Sequence, residues 1–273
     1  MNVGIAGGIR LEVARLLSWK RWAAAAAVLG AAGWVVVERL SLLRVANQWD
    51  LPLDVLSDVP IVMFVLLPLF IGIVGDVVLA DRWTGFAGLS LPRSGSRLRW
   101  WGAKVAAVFV ASFAFALLLV IVLTALGAWR LGPGWNLSMY GRTSISSGSS
   151  GTFGFVAKSY DPPPLAGTAP IGVLVESVYT SLALAAFAVV VLALSQLWPR
   201  PWTPLLISGP AMLVAYRVPA TTVLDPALHL FWATHTFASN ITVEWWASAL
   251  FIGGEIALAV VIGAAVLSRT DIT

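Results

Sequence analysis

The sequence predicts an all-α, polytopic membrane protein with six transmembrane helices and an N-terminal interfacial helix. Three observations predict it. Of the 273 residues, 59% are hydrophobic and only 11% are charged, against about 25% charged in a soluble domain, whose surface must face water. Several apolar stretches approach or exceed the roughly 20 residues that cross about 30 Å of hydrocarbon. The chain holds 14 Trp, many where apolar runs end, as expected of anchors at the two membrane interfaces.

Each element follows from its own pattern. Within residues 8–19, Ile9, Val13 and Leu16 fall on one helical face and Glu12 and Arg15 on another, with Leu11 outside the apolar face. That pattern predicts a helix lying in the interface ahead of the first span. The spans are expected at about 20–38, 59–80, 103–129, 171–198, 202–218 and 245–267. An alanine run gives the first span high helix propensity and a slim profile for close packing. Pro68 is expected to kink the second, because a proline inside a helix removes a hydrogen bond. Pro204 and Pro210 interrupt the fifth.

The connections are equally distinct. Residues 39–58 carry Arg44, Asp50, Asp54 and Asp58 among leucines and are expected at a membrane surface. The segment 81–102 is strongly basic, and 130–170, rich in Gly, Ser and Pro, is the longest loop. Residues 219–244 are semi-polar and are expected to dip partly into the bilayer, where protein or water must satisfy their backbone.

Charge counting sets the orientation. With the N-terminus inside, Arg10, Arg15, Lys20, Arg21, Arg82, Arg93, Arg97, Arg99, Lys104, Arg200 and Arg269 face the cytoplasm. Arg39, Arg44, Arg130, Arg142, Lys158 and Arg217 face outward. The excess inside fits the positive-inside bias and places both termini in the cytoplasm, with 130–170 extracytoplasmic. The first apolar run reads as a retained span, because no small-residue cleavage motif follows it.

Composition also excludes chemistry. The basic residues are scattered between apolar runs, so no patch follows a nucleic-acid backbone. With no cysteine, disulfides, thiolate catalysis and Cys metal sites are ruled out. His229 and His235 are six apart, not the four of a helical metal pair. Asn136, Leu137 and Ser138 match a glycosylation pattern that is common by chance. The carboxylates are dispersed and no Ser–His pair accompanies them, so no catalytic centre is expected. No Gly-x-x-x-x-Gly-Lys-Ser/Thr phosphate loop occurs. Besides Glu38 at the end of the first span, three acidic residues fall within spans, Asp76, Glu176 and Glu255, where a carboxylate must face protein, water or a cation. Asp76 is expected to pair with Arg82 or a neighbouring helix, and Glu255, the deepest, to make a polar contact within the bundle.

Residues 76–104 carry a more specific pattern. Asp76, Asp81, Arg82, Trp83, Thr84 and Gly85 are followed by Leu89, Ser90, Leu91, Pro92, Arg93 and Ser94, then by Arg97, Gly102, Ala103 and Lys104. This resembles the integral membrane subunit of ABC-2 type transporters, in which an acidic-Arg pair and a Gly precede a Leu-Pro-x-Ser element and a Gly-Lys pair opens the next span. Here Ala103 stands between Gly102 and Lys104, and Gly95 and Ser96 separate Ser94 from Arg97. The resemblance implies a half-transporter in a bacterial or archaeal cell membrane, paired with a second copy or a paralogue. Two separate ATPase subunits, holding ATP and Mg, would dock on the cytoplasmic side. The segment 81–102 is then the docking element: Arg82, Arg93 and Arg97 meet acidic groups, Trp83, Phe86 and Leu89 pack against the partner, and Pro92 sets a turn. An ion-coupled secondary transporter would ask more of Asp76, Glu176 and Glu255. A non-transporting anchor or immunity subunit would need neither.

Overall fold

The computed structural model describes residues 5–42, 46–75, 77, 96–135, 169–198, 200, 202–217 and 245–269. Among them the chain is all-helical. Helix α1 (Ile5–Leu16) turns at Ser18 into α2 (Trp19–Ser41), and the Trp22 indole N–H closes that corner on the Leu16 carbonyl at 2.8 Å. A short α3 (Asp50–Ser57) leads to α4 (Val59–Ile61), a π-helical turn (Val62–Leu66) and α5 (Leu67–Val74). Then come α6 (Arg97–Arg130), α7 (Ala169–Ser195), α8 (Thr203–Arg217) and α9 (Trp245–Arg269).

Local chemistry places these boundaries. Ser96 is extended and its hydroxyl accepts from the Arg99 backbone N–H at 3.2 Å, a side-chain cap that starts α6. That helix stops at Gly132, whose φ of 97° is open to glycine and ends the right-handed run. Asp58 caps α4 through Ile61 N–H at 3.2 Å. The kink expected at Pro68 takes the form of a widened turn one step earlier. Pro68 has no N–H for the Phe64 carbonyl, and the Leu67 N–H reaches back five residues to Val62 instead.

Helix α6, 34 residues long, is the hub. It packs against α1, α2, α3, α5, α7 and α9. Phe115 on α6 meets Phe70 on α5 edge-on at 5.4 Å, and Leu119 and Leu123 are fully buried beside Leu29 of α2. Gly33 on α2 lets Leu123 approach so closely that a methyl group there would lie 2.6 Å from its Cδ2. Gly263 of α9 lies flat against the Trp101 indole in the same way.

The outward faces are as apolar as the core. Val110, Phe113, Leu117 and Ile121 form an exposed stripe along α6, and Val28 and Val35 on α2 and Leu258 and Val261 on α9 are also exposed. A helix bathed in water would carry polar residues there. Three helices, Trp19–Ser41, Arg97–Arg130 and Ala169–Ser195, are long and apolar enough to cross a bilayer, and Val62–Val74 and Gly253–Val266 are shorter apolar helices. The chain is therefore a membrane-embedded helical protein.

Tryptophans mark two ends of the bundle. At one, Trp34 and Trp129 stack at 5.8 Å beside Arg130, and Trp49 donates to the Gly134 carbonyl at 2.6 Å. At the other lie Trp100 and Trp101, which open α6, and Trp22. Trp198 and Trp202 meet there at 5.0 Å, close to Pro204, which faces Gly75 of the second apolar segment. From Lys104 to Arg130 along α6 is about 39 Å, enough to cross the hydrocarbon and enter both interfaces.

At the Arg130 end the chain before α3 crosses directly over α6. Gln48 N–H donates to the Gly132 carbonyl at 3.2 Å and its side chain to the Gly134 carbonyl at 2.9 Å. A methyl group on Gly127 would fall 2.7 Å from the Gln48 carbonyl oxygen and 2.9 Å from its Cα. Backbone cannot yield as a side-chain tip can, so Gly127→Ala is expected to cost about 1–3 kcal/mol, by overpacking. Gly30→Ala, with nothing within 4 Å of the added methyl, is the matched control. Thermal unfolding in detergent should show a lowered midpoint for the first and none for the second; equal midpoints would mean that the 46–49 crossing does not hold this end together.

Candidate functional site

The most concentrated polar chemistry lies at the Trp101 end. Lys104 is 1% exposed and sits about two turns inside α6. Its ammonium donates to Glu12 Oε1 at 3.0 Å and to the Val77 carbonyl oxygen, and it lies 4.6 Å from the centre of the Trp100 ring. Glu12 is itself buried, and its second oxygen lies 3.7 Å from the Arg15 guanidinium. A bare ammonium in hydrocarbon is costly, and here a carboxylate, a carbonyl and an aromatic face together replace its water.

The geometry departs from the sequence expectation at Glu12. Ile9, Val13 and Leu16 do share a face, but α1 turns Glu12 inward with Leu16 instead of away from it. Gly8 on the same side meets the Ala103 methyl, a Cβ built there lying 3.4 Å away. The reason is Lys104: a buried cation left without a counter-charge would be costly, and Glu12 is the carboxylate that pairs with it. The signal available in the sequence was a lysine inside an apolar run just after Trp100 and Trp101, together with one acid in an otherwise apolar and basic helix.

Three elements meet at this junction. Val77 lies just before the basic 81–102 segment and α6 begins at its far end, so Lys104 ties both roots of that segment to α1. Arg21 of α2 adds a contact to the Ile73 carbonyl at 3.5 Å. Arg97, the first residue of α6, is exposed. Of the other expected docking residues, Arg82, Trp83, Phe86, Leu89, Pro92 and Arg93 lie outside the described residues, as do Asp76, His229, His235 and most of 130–170. Glu176 falls within α7, with its side chain outside that description.

Glu255 lies on α9, the helix that packs on α7 and α6. Its Oε2 is enclosed and has no hydrogen-bond partner among the described residues. The Ser112 and Ser177 hydroxyls on α6 and α7 donate to the Phe109 and Val173 carbonyls, each at 2.7 Å, returning their hydrogens to their own helix. No group of three His, Cys, Asp or Glu side chains among the described residues is placed to hold a metal ion.

The opposite end is tied by two further ion pairs. Arg39 pairs with Asp54, joining α2 to α3, and Arg130 pairs with Glu38 while its guanidinium lies 4.8 Å from the Trp34 ring centre. These pairs are partly exposed and so contribute less than the Lys104 junction. Comparison with protein-family models, curated proteins and solved structures finds no match.

Removing one partner of a buried pair leaves an uncompensated charge, typically at a cost of about 3–5 kcal/mol, whereas replacing both with apolar groups is often neutral. Lys104→Met is therefore expected to lower the unfolding midpoint strongly, and Glu12→Leu with Lys104→Met to recover most of it. Purely additive losses in that double-substitution cycle would show that the two side chains do not interact.

Proposed function

We propose that the chain is the permease half of an ATP-driven ABC-2 type exporter. In this reading it has six spans: α2, the α4–α5 segment, α6, α7, α8 and α9. Helix α1 lies at the cytoplasmic interface and both termini are inside a bacterial or archaeal cell membrane. Two copies, or this chain and a paralogue, enclose the route for a hydrophobic, peptide, lipid or drug-like cargo. Two ATPase subunits bind ATP and Mg and dock on 81–102.

One observation carries the reading. The basic segment with the family-like order of Asp81, Arg82, Gly85, Leu91, Pro92 and Arg93 springs from two roots, Val77 and the start of α6, that a single buried lysine holds together. A force applied to that segment by a partner reaches α5 and α6 at once, because Lys104 links them through rigid groups. Such an arrangement suits a lever, and a segment that only held topology by charge would not need it. Resemblance in sequence order supports the same reading, as does the lack of a phosphate loop in the chain, which leaves ATP to a partner.

A second reading draws on Glu255. A carboxylate with an enclosed oxygen that has no hydrogen-bond partner among the described residues is also what an ion-coupled secondary transporter would use to carry a proton. The two are separated by their energy source. Charge reversal at Arg93 and Arg97 (Arg93→Glu with Arg97→Glu) is expected to abolish co-purification of the ATPase and cargo-stimulated ATP hydrolysis in lipid, while the detergent-solubilised chain elutes unchanged. Retained ATPase binding with full coupling would contradict the docking assignment, and cargo movement driven by an ion gradient without any ATPase would favour the second reading.

A further inference from the structure

The pairing of Glu12 with Lys104 has a consequence for the other side of α1. Through residue 37 the sequence has one acid, Glu12, and four cations, Arg10, Arg15, Lys20 and Arg21. Because Glu12 is turned inward and neutralised by Lys104, its charge is removed from the outer face. What remains on that face is an arc of exposed residues: Arg10, Leu11, Ala14 and Leu17, followed at the corner by Trp19 and Lys20. Leu11, Leu17 and Trp19 are 48%, 51% and 74% exposed.

Apolar side chains and cations interleaved on one arc do not suit bulk water, and they do not suit hydrocarbon alone. They suit the layer between, where leucine and tryptophan enter the acyl boundary and basic groups meet phosphates. The position agrees, since Trp19 opens α2 at the point where its apolar run begins, beside Lys20 and Arg21. We infer that the outer arc of α1 and the α1–α2 corner, centred on Arg10, Trp19 and Lys20, binds the headgroups of anionic phospholipids. Glu12 and Lys104 are positioning residues in this inference: they hold α1 so that the cationic arc faces lipid. Since Lys104 also holds Val77, occupancy of the arc by lipid is mechanically connected to the roots of the 81–102 segment. The choice of the cytoplasmic leaflet rests on the topology proposed above; the preference for anionic headgroups does not.

The chain has no cysteine, so a fluorophore on Ala14→Cys reports from this arc alone. The full-length labelled protein is placed in nanodiscs of phosphatidylcholine that carry an equal mole fraction of either brominated phosphatidylglycerol or brominated phosphatidylcholine. Each basic side chain close to an anionic surface strengthens association by about fivefold at low salt. Brominated phosphatidylglycerol is therefore expected to quench several-fold more than the choline lipid, with the ratio falling towards one as salt is raised. In Arg10→Gln with Lys20→Gln, both exposed positions, the ratio should drop to near one. A label at Phe113→Cys, on the exposed stripe of α6, should be quenched equally by both lipids.

Equal quenching of the Ala14 label in the parent would overturn the inference. A preference that survives both Arg10→Gln with Lys20→Gln and high salt would overturn it as well. Neither ATPase nor cargo enters the measurement. Loss of the lipid preference with ATPase coupling intact would sink only this inference, and the reverse result only the permease reading.

Discussion

An ammonium cannot remain in hydrocarbon unless protein replaces its water, and the arrangement of this chain follows from how Lys104 meets that demand. The lysine needs a carboxylate, which brings α1 against the start of α6. It also takes a carbonyl, which fixes the end of the second apolar segment. These contacts add to the apolar face of Ile9, Val13 and Leu16 in fixing the rotation of α1. The same demand acts at the far end in weaker form, where Arg130 rests on Trp34 and pairs with Glu38 close to solvent.

Between those two charged layers the chain solves a different problem. Backbone groups there must be satisfied within protein, and the hydroxyls of Ser112, Ser177 and Ser195 likewise donate to the preceding turn of their own helix. Association there rests on close approach, not on driving apolar surface out of water, since lipid is as apolar as the core. Gly33, Gly127 and Gly263 are the positions at which a neighbour comes nearer than a side chain would allow. The proline of the second segment shows how much irregularity this tolerates: the bond it removes is replaced by one that reaches back an additional residue, and the segment stays helical and buried.

Much of this was legible in the sequence, and the parts that were not share a cause. Helical character of the apolar runs follows from length and composition alone. Pro68 announced a disturbance, although its form as a widened turn depends on how neighbouring helices support it. What a single helix pattern could not show is a partner distant in the chain. Glu12 with Lys104 and Glu38 with Arg130 each join residues 92 apart. On an isolated α1, Glu12 sorts with Arg15 as polar, and only the packed structure reveals that it belongs with Leu16. For Glu255, whose depth predicted a polar contact, the enclosed Oε2 has no hydrogen-bond partner among the described residues. The docking role proposed for Arg82 to Arg93 rests on sequence order, since those residues lie outside the described ones.

The proposed topology sets the Lys104 and Arg130 ends of α6 on opposite sides of a membrane, with the basic end inside. In the cysteine-free chain, Leu98→Cys and Trp135→Cys place single thiols at exposed positions at these two ends. A membrane-impermeant maleimide applied to intact cells is expected to label Trp135→Cys at once and Leu98→Cys only after the membrane is opened. Labelling of Leu98→Cys from outside, or of both thiols alike in intact cells, would contradict the account.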